Sequence, residues 1–331
     1  MKSIFLGGAS NLNIYKNCLD TLKTEAELEP IVYSKNDVIS SPEKFKDTEF
    51  VFTTWGMPVF TSEEIRECFP SLKCVFYGAG SVQFFAKPFL ENNIKVFSAW
   101  GANAVPVAEY TVAQIVLASK GYFLSSKMIK NPDDRRKATE YAFNMPGNYN
   151  TKIGIIGAGM IGRMVIERLK AYTLDVFVYD PFLSDEKAEN LGVKKVSLEE
   201  LFAECQVISN HVANLPETVG MFTYDLFKLM KDDAVFINTG RGAQVVEDDL
   251  IKILKEKPFL TAVLDVTFPE PPVEGSEIYS LQNIILTPHI AGSLGNEVRR
   301  MGEYMCDQFI KFKYNKEYEY EVTLKMLETM A

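Results

Sequence analysis

Short runs rich in β-branched and aromatic residues recur at 3–7, 30–34, 49–55, 74–78 and 95–99, and a polar, helix-length stretch separates each from the next. Such runs alternating with amphipathic segments predict βαβ units around a parallel sheet, because crossover helices cover both faces and leave the strands apolar throughout. The pattern changes at 102–120, where Val105, Ala108, Val112, Ile115 and Val116 fall at helical spacing with no internal glycine. One long helix is expected there, with Pro106 near its first turn, where a missing amide is tolerated. The stretch 131–150, with Pro132, Pro146, Gly147 and several charges, reads as a surface connection.

A second alternation follows, with strands expected at 152–157, 174–179, 206–211, 234–238, 261–266 and 283–287, the six-strand count of a complete dinucleotide-binding sheet. Beyond Pro288 the pattern is helical over about 294–313 and ends in a polar, aromatic tail. The expected fold class is α/β, with two doubly wound parallel-sheet domains. Residues 1–101 plus 291–331 would form one, discontinuous domain and 102–290 the other, with a cleft between them.

Length supports two domains, since 331 residues exceed the roughly 150 typical of one. A hydrophobic fraction of 47% against 24% charged allows a large core and argues against disorder. The net charge of −9 opposes a nucleic-acid backbone, so no nucleic-acid partner is expected. Five scattered cysteines without a Cys-x-x-Cys pair suggest neither a disulfide framework nor a metal site, and they read as reduced, buried thiols. The apolar run near Met1 is too short for a secretion signal and serves better as a first strand. No run approaches the roughly 20 apolar residues that cross a bilayer, so no membrane partner is expected and the cytoplasm is the default location.

The most informative short motif is Gly157-Ala158-Gly159-Met160-Ile161-Gly162, set between an apolar strand and a helical pattern carrying Val165, Leu169 and Tyr172. Gly157 would make the tight turn, Gly159 would let the backbone approach a pyrophosphate, and Gly162 would let helix and strand pack closely. The phosphates would then face a helix N-terminus, whose unpaired amides and dipole favour negative charge. The next strand ends in Asp180, whose carboxylate can accept hydrogen bonds from the adenosine ribose and would repel a 2′-phosphate. NAD is therefore expected over NADP. A turn-forming role before Pro181 is the plainer alternative for Asp180. Gly78-Ala79-Gly80 lacks a third glycine, since position 83 is Gln83, and is not assigned to the cofactor.

Three further segments each follow an expected strand and carry groups suited to a 2-oxo acid. Arg241 lies between Gly240 and Gly242, Asp265 and Glu270 lie in the Asp265 to Pro272 stretch, and His289 follows Thr287-Pro288. Reducing a ketone needs a hydride and a proton, and histidine titrates near neutrality, so His289 is the expected proton donor. A neighbouring Glu270 would favour its charged form, and the Arg241 fork suits a planar carboxylate. Taken singly, each has an ordinary reading: a surface turn, a solvated loop, a capped core histidine.

Together these segments resemble the D-isomer-specific 2-hydroxyacid dehydrogenases. The resemblance runs from Gly101-Ala102-Asn103-Ala104-Val105, through the glycine motif and Pro216-Glu217-Thr218, to Thr287-Pro288-His289-Ile290-Ala291-Gly292. It implies a Rossmann NAD-binding domain, a flavodoxin-like substrate domain and a catalytic trio of Arg241, Glu270 and His289. It further implies a cofactor site that includes Met160, Ile161, His211, Val212, Ala213, Thr218, Thr239, Gly240, Arg241, Asp265, His289 and Gly292, with Asp265 near the nicotinamide. The substrate carboxylate would meet Arg241 and the amides of Ala79 and Gly80, and the protein would be a homodimer acting on a small 2-oxo or 2-hydroxy acid.

The chain departs from the family at 78–85, where a polar continuation is common, and at Trp100, where proline is common. With Trp55, these aromatics would enlarge or roof the substrate pocket and favour a larger or more apolar substrate than glyoxylate or pyruvate, unless they are ordinary core. Two other functions fit the same motifs. One is an NADH-sensing regulator similar to the dehydrogenase-like co-repressors. The other is a formate-type dehydrogenase, disfavoured by Glu270.

Overall fold

The computed structural model describes residues 2–328. The chain divides into two compact units, one of residues up to Ala104 together with Ser293 onward, the other Val105–Gly292. Strands are numbered β1 to β13 along the chain.

The first unit contains β1 (Lys2–Leu6), β2 (Leu28–Tyr33), β3 (Thr48–Thr53), β4 (Cys74–Tyr77), β5 (Lys95–Ser98) and β13 (Glu321–Val322). Their order is β13-β5-β4-β3-β1-β2, parallel except for β13 against β5, which is the flavodoxin-like order with an added antiparallel edge. Strand alternation sorts the side chains. Ile4, Leu6, Val51, Val75 and Val96 enter one core, while Phe5, Phe52, Phe76 and Phe97 enter the other. Register places Phe5 opposite Phe52, Phe52 opposite Phe76, and Phe76 opposite Phe97, so the rings form a row across four strands. Phe76 stacks on Phe52 at 5.2 Å and on Phe97 at 5.0 Å.

That row explains why the C-terminal segment returns to this unit. The helix Val298–Lys313 lays Phe309 edge-on against Phe52 and Phe76 at 5.4 and 5.7 Å. Gly302 lets the same helix touch the backbone of Ile14, since a Cβ there would lie 2.2 Å from the Ile14 carbonyl oxygen. The helix starts at Val298 rather than near 294, because residues 294–297 close a turn in which the Leu294 amide donates to the Glu297 carboxylate at 2.9 Å.

The second unit contains β6 (Tyr149–Ile156), β7 (Thr173–Tyr179), β8 (Lys194–Lys195), β9 (Val207–Asn210), β10 (Val235–Asn238), β11 (Thr261–Leu264) and β12 (Ile284–Leu286). All are parallel in the order β12-β11-β10-β9-β6-β7-β8, the Rossmann arrangement with one further strand. The order reverses between β6 and β9, so the loops after those strands diverge and leave a crevice at their carboxyl ends. Strand β8, two lysines long, escapes a hydrophobic-pattern reading and makes the sheet seven-stranded rather than six.

Three local expectations are corrected. The long helix runs Trp100–Ala118, so Pro106 lies in its interior rather than its first turn and removes one backbone donor there. The stretch 131–150 is not simply a connection: it holds the helix Asp134–Asn144, which buries Ala138 and Tyr141 despite its largely polar sequence. The aromatic tail contributes β13, whose pairing is decided by the open edge of β5. All five cysteines are buried. Among the described residues no helix is long and apolar enough to cross a membrane.

The Gly302 contact gives a direct test of how the C-terminal helix seats. Gly302→Ala should destabilise the protein by about 1–3 kcal/mol, the usual cost of forcing a methyl into a filled contact. Denaturant unfolding should show a lower midpoint, and an unchanged midpoint would mean the helix can move aside.

Candidate active site

The glycine motif occupies the turn from β6 into the helix Met160–Leu169. Gly157 has φ +90°, and a Cβ there would also lie 2.9 Å from the His211 carbonyl group, so conformation and space both exclude a side chain. A Cβ on Gly162 would lie 2.0 Å from the Gly157 carbonyl oxygen, which is the close helix–strand approach expected of the third glycine. At Gly159 a Cβ would meet nothing within 4 Å. Gly159 is the N-cap of its helix and offers no side-chain cap, so the first amides face an open approach suited to an anionic group.

Asp180 follows β7. Its carboxylate accepts from the Ala158 amide and the Phe182 amide, each at 2.7 Å. The turn-forming role is therefore real, and it ties the glycine loop to the end of β7. Each oxygen keeps acceptor capacity for a ribose hydroxyl.

His211 follows β9 and bonds through Nε2 with Ser209 Oγ at 3.0 Å. Burial pushes its pKa down to about 4, so the ring is neutral near physiological pH. Val212 and Ala213 continue this loop, and Thr218 closes it by donating to the Ala213 carbonyl at 2.8 Å. Thr239, after β10, is buried with its hydroxyl 3.2 Å from that of Thr111.

The ends of β10, β11 and β12 bring the trio together. His289 Nδ1 lies 2.8 Å from Glu270 Oε1. Burial lowers the Arg241 pKa, and the Glu270 charge opposes that shift, so one carboxylate acts on both the imidazole and the guanidinium. Arg241 Nη1 donates to the Gly240 carbonyl at 2.8 Å, which limits the side chain's freedom. Glu270 lies between two cis prolyl bonds, Phe268–Pro269 and Glu270–Pro271.

His289 itself has φ +56°, in the left-handed region that side chains usually avoid. Asp265 supports this geometry. Its carboxylate, 2% exposed, accepts from Thr287 Oγ1 at 2.6 Å and from the Ile290 and Ala291 amides at 2.8 Å. The His289 amide donates to the Asp265 carbonyl at 3.0 Å. Resemblance directed Asp265 toward the nicotinamide, whereas its observed bonds are to the turn that carries His289. Two participants were missed in the sequence: Thr287, although it adjoins Pro288 and His289, and Tyr110, whose hydroxyl lies 3.2 Å from that of Thr287. Tyr110 is one helix position among many, and no local signal marks it.

Trp55, Ala79 and Gly80 belong to the first unit, on loops after the adjacent strands β3 and β4. The Ser98 hydroxyl donates to the Ala79 carbonyl at 2.9 Å. Trp55 is 44% exposed. Trp100 is partly buried against the core, with its ring 5.4 Å from Tyr320, and behaves as a packing residue. Gly292 ends the second unit. Among the described residues no group of three or more His, Cys, Asp or Glu side chains could hold a metal ion.

Comparison with known proteins bears on the family of the chain. A family model described as "D-isomer specific 2-hydroxyacid dehydrogenase, NAD binding domain" matches residues 118–291. The chain is 31% identical over 255 residues to a glyoxylate reductase of Thermococcus litoralis, covering 76% of each chain. It is 32% identical over 220 residues to a D-3-phosphoglycerate dehydrogenase of Archaeoglobus fulgidus, covering 66% of this chain but only 41% of that longer protein. An NAD-complexed D-isomer specific 2-hydroxyacid dehydrogenase of Lactobacillus delbrueckii ssp. bulgaricus shares the fold, with a TM-score of 0.78 and 20% identity over 98% of this chain and 100% of that one. The protein thus belongs to the D-isomer specific 2-hydroxyacid dehydrogenase family, with NAD as the cofactor of its second unit.

Proposed function

We propose that the protein interconverts a 2-oxo acid and a D-2-hydroxy acid with NAD(H), using His289 as the acid and base. The observation that carries this reading is the 2.8 Å contact between His289 Nδ1 and Glu270, in a unit whose family binds NAD. Glu270 engages Nδ1, so Nε2 is the ring nitrogen left to serve the substrate. Bound NADH supplies the hydride for reduction. His289 then delivers its Nε2 proton to the carbonyl oxygen as negative charge develops there, and in the reverse direction the neutral ring removes it. Arg241 binds the substrate carboxylate through its fork and polarises the adjacent carbonyl.

The cofactor is held by Gly157 to Gly162, Asp180, the 211–213 loop with Thr218, and Thr239 and Gly240. Asp265 contributes by fixing the turn from Thr287 to Ala291, which donates three hydrogen bonds to its carboxylate. Ala79 and Gly80 are assigned to the substrate by resemblance, and Trp55 by its aromatic chemistry, since its exposure leaves the ring able to meet an apolar side chain. A homodimer through the NAD-binding units follows from the same resemblance. The exposed Tyr122, Ile129 and Phe143 of that unit are apolar surface that such contact would cover.

Following NADH absorbance across a panel of 2-oxo acids tests the reading. Turnover supports it, and tight NADH binding with no turnover would replace it with a sensor. His289→Gln should lower the reduction rate by roughly a hundredfold or more while leaving NADH binding near the wild-type value. Glu270→Gln removes the carboxylate that accepts from His289 Nδ1 and should lower the reduction rate roughly tenfold or more. Steady-state kinetics at saturating NADH checks this, and a wild-type rate in the variant contradicts the role.

Selectivity provides a separate measurement: Trp55→Ala should change rate ratios between bulky and small 2-oxo acids, and constant ratios would remove Trp55 from the pocket. His211 makes a prediction about stability. Its folded-state pKa of about 4 lies below the unfolded value of about 6.5, so the unfolded chain binds the extra proton first. Its contribution is present above about pH 6.5 and is lost as pH falls toward 4. His211→Asn should flatten that part of the acid-side stability profile, and an equally steep fall in the variant would show that other groups cause it.

A further inference from the structure

Beneath the loops that carry Arg241 and the cofactor-facing residues 211–213 lies a chain of three fully buried amides, Asn210, Asn238 and Gln244. Asn210 Nδ2 donates to Asn238 Oδ1 at 3.0 Å and to Gln244 Oε1 at 2.6 Å. Each amide also reaches a backbone group. The Gly240 amide donates to Asn238 Oδ1 at 3.0 Å, and Asn238 Nδ2 donates to the Arg241 carbonyl at 3.0 Å. The Val212 amide donates to Asn210 Oδ1 at 3.2 Å. Gln244 Nε2 donates to the Val212 and Ala213 carbonyls at 3.0 and 2.9 Å.

The backbone partners settle the orientation of all three side chains. Amide donors face two of the carboxamide oxygens and carbonyl acceptors face two of the nitrogens, so turning any one amide over would set like against like. The chain is also close-packed. A Cβ on Gly240 would lie 2.9 Å from Asn210 Nδ2, 3.3 Å from Gln244 Oε1 and 3.4 Å from Asn238 Oδ1. The backbone just ahead of Arg241 is thus seated directly on the amides.

We infer that Gln244 is a positioning residue whose side chain, through Asn210 and Asn238, locks the Arg241 loop and the 211–213 loop into one rigid unit. Gln244 holds one loop by its nitrogen and the other, through Asn210 and Asn238, by its oxygen. A buried amide network that is fully paired specifies one arrangement, because any displacement strands a polar group away from water. The consequence is that binding of cofactor and of substrate carboxylate share a common mechanical support. The substrate half of this statement rests on the proposed role of Arg241, while the cofactor half does not.

The test compares Gln244→Leu, Gln244→Glu and wild type by NADH fluorescence titration, steady-state kinetics and thermal unfolding. Gln244→Leu leaves the Val212 carbonyl and one Asn210 donor without partners, and leaves the Ala213 carbonyl to Thr218 alone. It should weaken NADH binding about tenfold and raise the KM of the 2-oxo acid by a similar factor. Gln244→Glu keeps an acceptor for Asn210 and loses the donors to residues 212 and 213, so its NADH Kd should rise while its KM stays closer to wild type. A lower Tm with wild-type Kd and KM would reduce Gln244 to a structural residue and overturn the inference.

Should Gln244→Leu fail to fold, Gln244→Asn keeps the carboxamide but draws it back by one methylene and should produce the same joint rise in Kd and KM; unchanged values overturn the inference. If wild type turns over no 2-oxo acid, the NADH titration still decides the cofactor half. Weakened NADH binding in Gln244→Leu would then sustain it while the proposed function fails, and unaltered binding would overturn it.

Discussion

A buried carboxylate gripping one turn sets the geometry on which the candidate site depends. Asp265 sits at the end of β11, and three donors from residues 287–291 converge on it. Those bonds offset two costs at once. A carboxylate taken from water is expensive unless its oxygens are paired, and a histidine in the left-handed region carries about 1–2 kcal/mol of local strain. Neither feature would persist without the other. The turn supplies the amides that satisfy Asp265, and Asp265 holds the turn that points His289 at Glu270.

The parallel sheet makes this economy possible. Strands β10, β11 and β12 are neighbours and run in one direction, so their outgoing loops leave from the same edge. Residues far apart in the chain, such as Arg241, Glu270 and His289, thereby reach each other without a long excursion. The same logic operates at β6 and β9, where the glycine turn and His211 backbone come close enough to exclude a Cβ at Gly157. In the first unit the aromatic row across β1, β3, β4 and β5 performs a different task. It gives the C-terminal helix an apolar surface to cover, which is why residues so late in the chain complete the unit that begins at the N-terminus.

Much of this was legible beforehand where the signal is local and repetitive. The apolar runs place the principal strands because parallel strands are buried on both faces. The glycine spacing implies a dinucleotide because each glycine answers a separate steric demand, and Asp180 turns that expectation toward NAD. What escaped reading had weak or non-local causes. Strand β8 is two lysines, β13 forms only because β5 offers an edge, and the helix Asp134–Asn144 has few apolar residues. For Trp100 the sequence left pocket and core readings open, and Tyr320, more than two hundred residues away in sequence, gives it a packing partner.

The sequence by itself determined the two layered sheets, the dinucleotide turn and the presence of a guanidinium, a carboxylate and an imidazole at strand ends. These follow from hydrophobic period, glycine sterics and side-chain chemistry, all of which act over a few residues. Tertiary structure alone decided that Asp265 holds the His289 turn, that Glu270 acts on two partners, and that three amides join the Arg241 loop to the 211–213 loop. Hydrogen bonds depend on distance and direction between groups remote in sequence, and only the folded chain fixes both.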